Sequence, residues 1–246
     1  MSKNKLKNAP LKEVIFELRW ESALDDSGNP YDSGYDLAQG KFADRVNSEF
    51  PVHKKLILDE MPFNVFGAAM HQYWKGEFTW PVIQHGQGIL AVNEVEYGYE
   101  WANGYKPLLI KSINDLQASY EDKLSFNVVK LQYIDAWDLN GMDPSEFIAK
   151  NLQTEIHNNY DLPGKARSFN IEQNFELNDD SLMSLKISTG LNNNNQQPSV
   201  IWTTTVEKKS KMIIEDVTFW LESAHRTTSM MFKKMLNPEF YASLNG

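Results

Sequence analysis

The chain has 246 residues, 41% hydrophobic, 12% aromatic and 23% charged, with a net charge of −9 and no cysteine. Its 13 Phe, 10 Tyr and 7 Trp bury enough surface to exclude disorder for most of the chain, and the missing cysteine excludes disulfides, thiolate zinc sites and a cysteine nucleophile. Charge is uneven: residues 1–12 hold four lysines and no acid, while residues 13–207 hold 14 basic against 29 acidic residues, a body that repels phosphate and argues against direct duplex nucleic-acid binding.

No apolar run approaches the ~18 residues of a membrane span, and no apolar segment follows the lysine-rich start as a secretory signal requires. A cytoplasmic protein without membrane contact is therefore expected. Val14, Phe16, Leu18 and Trp20 alternate with Glu13, Ile15, Glu17 and Arg19, the pattern of a strand buried on one face. A loop rich in Asp, Ser and Gly follows. The spacing then predicts a helix over 36–50, with Leu37, Phe42, Val46 and Phe50 inward and Pro51 as its stop. Residues 65–74, 77–84 and 89–99 read as strands, joined by turns at Lys75-Gly76 and at 85–88. Pro107 opens a helix whose apolar face is Leu109, Ile113, Leu116 and Tyr120.

Residues 126–139 return to alternation, with Val129, Leu131, Tyr133 and Trp137 on one face. Asp143-Pro144 caps a helix expected to reach about His157. Strands are expected over 167–177, 182–189 and 199–208, with the polar run 192–197 as a hairpin tip. A last helix over 214–236 presents Val217, Leu221, Ala224, Thr228, Met231 and Met235 inward and ends at Asn237-Pro238. The expected fold is thus α+β, a mainly antiparallel sheet packed by long helices. Residues 1–125 and 126–246 each read β-α-βββ-α, two pseudo-repeated halves sharing one sheet and core as a single domain. That order is similar to the saddle-shaped fold of the TATA-binding protein and to helix-grip folds.

The stretch Asn8-x-Pro10-Leu11-x-Glu13-Val14-Ile15-Phe16 resembles the opening of a sporadically distributed prokaryotic protein family of about this length. Tyr97-Gly98-Tyr99-Glu100-Trp101 with Tyr105-Lys106-Pro107, the segment Leu131-Gln132-Tyr133-Ile134-Asp135, and Leu221, His225 and Phe232 are similar to its later motifs. Gln132 and Asp135 stand where that family carries Arg and Asn. The resemblance implies a conflict or defence setting, including antiviral defence, and assigns no reaction.

Signatures of catalysis are lacking. There is no G-x-S-x-G elbow, and Ser27 and Ser33 sit in Asp-Ser-Gly turns. His53, His71, His85, His157 and His225 show no i, i+4 pair, although His71 and His85 are free to meet across strands. Asp25-x-Ser27-x-Asn29 starts like a calcium loop but meets Pro30 where glycine belongs. Gly86-Gln87-Gly88 lacks the rest of a phosphate loop. Glu94, Glu96 and Glu100 form an acidic row expected on a solvated face, and Glu222 lies one turn from His225. No cofactor, metal or catalytic set is expected. The aromatic residues at element ends, Trp74, Trp80, Trp101, Tyr105 and Trp137, are the binding candidates, with Trp101 as preferred anchor. The expected function is non-catalytic recognition of a protein partner. The alternative is a small-molecule-binding or hydrolytic enzyme with a cleft between sheet and helices. Homo-oligomerisation is left open.

Overall fold

Alternation places Val14, Phe16, Leu18 and Trp20 inside strand β1 (Leu11–Trp20) of the computed structural model, which describes residues 6–20, 23–56, 66–95, 97–121, 124–156, 164, 168–192 and 195–245. The loop after β1 contains a small ribbon of β2 (Ala23–Leu24) and β3 (Pro30–Tyr31), closed by Asp25, whose carboxylate accepts from the Ser27 and Asn29 amides. Helix α1 (Tyr35–Val46) buries Tyr35, Ala38, Phe42 and Val46. Leu37, expected inward, is 77% exposed, because the helix begins at Tyr35 and its inner stripe runs 35, 38, 42, 46. Phe50 is buried beyond the helix end.

Strands β4 (Val52–Lys55), β5 (His71–Trp74), β6 (Val82–Gly86) and β7 (Ile89–Val95) form the meander. Val65 and Glu96 lie outside the described residues. The β6–β7 turn is Gln87-Gly88, with His85 and Gly86 inside β6, whereas β5 and β6 are joined by a longer loop containing a cis Trp80–Pro81 bond. Glu94 is buried at 5% exposure rather than solvated, since every β7 residue from Ile89 to Glu94 is covered. A π-helical turn, Trp101–Tyr105, then leads into α2 (Lys106–Ser119). Leu109, Ile113 and Leu116 are fully buried there, and α1 packs against α2 and β6.

Strand β8 (Phe126–Asp138) is followed by α3 (Pro144–Asn151), whose Asp143 cap accepts from the Ser145 amide. The helix ends earlier than expected, and His157 lies outside the described residues. Strands β9 (Asn170–Glu176), β10 (Ser181–Leu191) and β11 (Pro198–Met212) follow. Asp138 accepts from Asn192, Asn195 and Ser199 and so ties down the β10–β11 hairpin tip. Helix α4 (Ile214–Met235) buries Val217, Leu221, Ala224 and Thr228. Asn237 then caps a further helix, α5 (Pro238–Ser243), through the Glu239 amide.

Nine strands form one sheet in the order β4-β5-β6-β7-β1-β8-β11-β10-β9. Pairing is antiparallel from β4 through β7 to β1, and between β9 and β10. The chain is a mixed α+β fold on a large antiparallel sheet. Apart from α4 its helices are short, and α1 and α3 end earlier than expected: α1, α2 and α3 span 12, 14 and 8 residues. Two compact units are present, one of Glu13–Gln132 with Glu207–Glu222 and the other of Met1–Lys12, Tyr133–Val206 and Ser223–Gly246. No helix among the described residues is long and apolar enough to cross a membrane.

Candidate functional site

Register brings three histidines together in the first unit. His71 lies opposite His85 across β5 and β6, and His53 lies opposite Tyr73 across β4 and β5. Cross-strand partners share a sheet face, so the three rings and Tyr73 point the same way. His53 Nε2 and His71 Nδ1 are 2.7 Å apart and share one hydrogen bond. His53 also stacks on Tyr73, at 4.9 Å between ring centroids. His85 has no exposed surface and is ringed by Phe42, Tyr35 and Trp20, at 4.9, 5.2 and 6.1 Å. Among the described residues neither His85 ring nitrogen has a hydrogen-bond partner, and the nearby Tyr35 hydroxyl is likewise buried with none.

This environment favours neutral imidazole. Burial pushes His85 down to about 3, with the neighbouring His71 adding to the effect. His71 is lowered to about 4, first by burial and then by His53 and Lys55. Burial raises the Tyr35 hydroxyl far above its ordinary range. Beside the cluster, Asp32 accepts from Trp20 Nε1 at 2.8 Å and from the Tyr120 hydroxyl at 2.6 Å. His71 and His85 thus meet aromatic rings rather than an acid–base dyad. His85 and the rings around it are closed off from solvent, with Trp20, Tyr35 and His71 at 2%, 4% and 8% exposure, whereas His53 on the edge strand β4 is exposed. Among the described residues no group of three or more His, Asp or Glu side chains is placed to hold a metal ion.

The opposite face of the same strands carries polar residues in a row. Gln72 Nε2 donates to Gln84, Gln84 Nε2 to Asn93, and Asn93 Nδ2 to Glu13, at 3.1, 3.1 and 2.7 Å. Glu17 accepts from both Arg19 and Lys130; burial alone would raise it, but these cations hold it below the usual carboxylate range. Glu94 presses against Gly98, where an added Cβ would meet its carboxylate at 2.8 Å and displace that side chain. Lys106 ion-pairs with Glu222, and in the other unit the Tyr133 hydroxyl meets His225 Nδ1 at 2.9 Å.

The five aromatic candidates fall into three groups. Trp74 and Trp80 pack edge to face at 5.3 Å, with Phe78 also against Trp74. Trp101 packs beside Tyr105 at 6.3 Å. Tyr105 itself is 2% exposed and donates to the Val92 carbonyl at 2.6 Å, so its role is to anchor the π-helical turn to β7. Trp137 belongs to the second unit, where it contacts Phe240, Phe147 and Trp202 at 6.0, 6.2 and 6.4 Å. Trp74 is nearly buried at 8%, while Trp80, Trp101 and Trp137 are half-buried.

The sheet ends at β4 and at β9; both edge strands are exposed at every position, and β9, with seven residues against four, is the longer. Ile171, Gln173 and Phe175 lie on the face shared with Ile187, Leu185 and Met183 of β10, all three of them buried. Ile171 and Phe175 continue that apolar stripe to the rim while remaining 36% and 38% exposed. Backbone directions follow from the ladder. The Leu177 amide donates to Ser181 and the Thr189 amide to Phe169, which assigns the odd-numbered residues of this strand to bonds with β10. The amides and carbonyls of Asn170, Glu172, Asn174 and Glu176 therefore point away from the sheet. No family model, no curated protein and no solved structure matches this chain.

Proposed function

We propose that this protein is a non-catalytic recognition component that binds a protein partner by strand addition at β9. The observation that carries this reading is an edge strand exposed at every position, with an outward row of main-chain donors and acceptors and an apolar pair, Ile171 and Phe175, to seat alternate side chains. Main-chain bonds give affinity in this mode, and the alternate side chains give specificity. The resemblance carried by Asn8–Phe16 and Tyr97–Pro107 sets this recognition in a prokaryotic conflict or defence system. The pseudo-repeat reading is supported by strand order: in each half an inner strand, β1 or β8, is followed by a helix and then by a meander that starts at a sheet edge, β4 or β9, and runs inward until its last strand lies beside the inner one.

The test is affinity purification from the native host, comparing the parent with Asn174→Pro and rebuilding any complex from pure components. Proline at 174 removes an outward amide without touching the bonds to β10. The expected result is a specific protein bound by the parent and lost from the variant. An identical set of bound proteins for both would overturn the assignment to β9.

A further inference from the structure

We infer that the strand added to β9 is β9 of a second copy of this chain, which gives a two-fold symmetric dimer through continuous sheet; the inference rests on reading β9 as a docking edge. Outward-pointing residues must pair with outward-pointing residues, so an antiparallel self-pairing can be centred only on a residue, never between two. Centred on Gln173, all seven residues find partners: Asn170 faces Glu176, Ile171 faces Phe175, Glu172 faces Asn174, and Gln173 meets itself on the axis. No glutamate then faces a glutamate. Centring on Glu172 sets that residue against itself, and centring on Asn174 sets Glu172 against Glu176, both unfavourable between like charges. Centring on Ile171 or Phe175 also avoids a glutamate pair but leaves part of the strand without a partner, so the Gln173 register alone pairs all seven residues with no glutamate facing another.

That register also suits the ladder. Asn170, Glu172, Asn174 and Glu176 occupy its hydrogen-bonded positions, each pair exchanging two backbone bonds. Ile171, Gln173 and Phe175 occupy the closer, non-hydrogen-bonded positions, where Ile171 of one copy covers Phe175 of the other. The apolar stripe of Met183, Leu185 and Ile187 would thereby continue from one copy into the next. Charge at the join is moderated within each copy, since Lys186 lies opposite Glu172 and Ser184 donates to its carboxylate at 2.9 Å. A seven-residue join on an acidic chain gives a concentration-dependent dimer, weakened at low protein concentration.

The test measures the molar mass of the full chain by sedimentation over a concentration series, and adds a crosslink. Because the chain has no cysteine, Gln173→Cys provides a single thiol on the axis, close enough to its symmetry mate for a disulfide under mild oxidation. Leu37→Cys, on the exposed face of α1, is the control. The expected results are a monomer–dimer equilibrium for the parent, a monomer for Asn174→Pro, and covalent dimer from Gln173→Cys but not from Leu37→Cys. Ile171→Lys with Phe175→Lys, which sets lysine against lysine across the axis, is a second disrupting variant should the proline variant lose its fold. A parent that stays monomeric, a dimer that survives both disrupting variants, or a Gln173→Cys dimer that does not crosslink would each overturn the self-pairing. A monomeric parent that still binds a different host protein through β9 would overturn the self-pairing and leave the recognition reading standing.

Discussion

Acid should unfold the first unit through His85. The folded ring stays neutral down to about 3, whereas in the unfolded chain it takes up a proton near 6.5. Below 6.5 the unfolded state therefore binds more protons, so this contribution to stability is complete above pH 6.5 and is lost as pH falls toward 3. The separation between the two values corresponds to ~5 kcal/mol over the whole window, and to ~1.4 kcal/mol for each pH unit within it. His71, lowered to about 4, adds to the same slope. His85→Phe keeps the aromatic contacts with Phe42, Tyr35 and Trp20 but cannot take a proton, and His85→Leu is a smaller companion. Urea unfolding, followed by tryptophan fluorescence at pH 7.5 and pH 4.5, should show the parent losing ~3 kcal/mol more than His85→Phe between the two conditions. Parallel losses in parent and variant would refute the argument, as would a His85 titration near 6.5 by NMR.

Further outcomes follow from other buried groups. Asp135 is raised to about 7 by burial, against a weaker lowering by Lys12, so its folded carboxyl keeps a proton that the unfolded chain releases near 3.8. Its contribution is present below that value and lost as pH rises through 7; Asp135→Asn should be the more stable protein at pH 8, and an unchanged unfolding midpoint there would contradict this. Leu116, fully buried beside Leu109 and Ile113, should cost ~4 kcal/mol or more as Leu116→Asp, and a thermal midpoint equal to the parent's would show the helix face to be wrong. Asp32→Ala removes the acceptor for Trp20 and Tyr120 and should cost ~3 kcal/mol in urea unfolding; a loss within error of zero would show that these bonds contribute nothing.

Where one face of an element is buried, its periodicity was readable. Val14 to Trp20 and Leu109 to Leu116 are such cases, and β1 and α2 formed where the pattern placed them. A glutamate in an alternating strand reads as solvent-facing where the sheet is one-sided, but β7 lies between β6 and β1 and is covered on both faces, so Glu94 is buried. Leu37 is apolar yet outward, because the start of α1 at Tyr35 sets the angular origin of its stripe. The extra residue of the π-helical turn, with the Tyr105 amide reaching the Glu100 carbonyl at 2.7 Å, has no pattern signature, and Asn237-Pro238 both ends one helix and caps the next. The histidine cluster depends on strand register, which relates residues 53, 71 and 85 only after folding. The β9 edge had a faint signal, since Glu, Asn and Gln fill most of a strand that alternation alone would treat as half-buried. Its place at the end of the sheet follows from topology.

Amide hydrogen exchange resolved along β9 tests the recognition edge most directly. In the dilute free protein the amides of Glu172, Asn174 and Glu176 should exchange fast while those of Ile171, Gln173 and Phe175, bonded to β10, are protected. On raising the protein concentration, or on adding a partner found in the host, the even-numbered amides should become protected and the odd-numbered ones change little. Even-numbered amides that exchange equally fast with the partner bound would contradict strand addition at this edge.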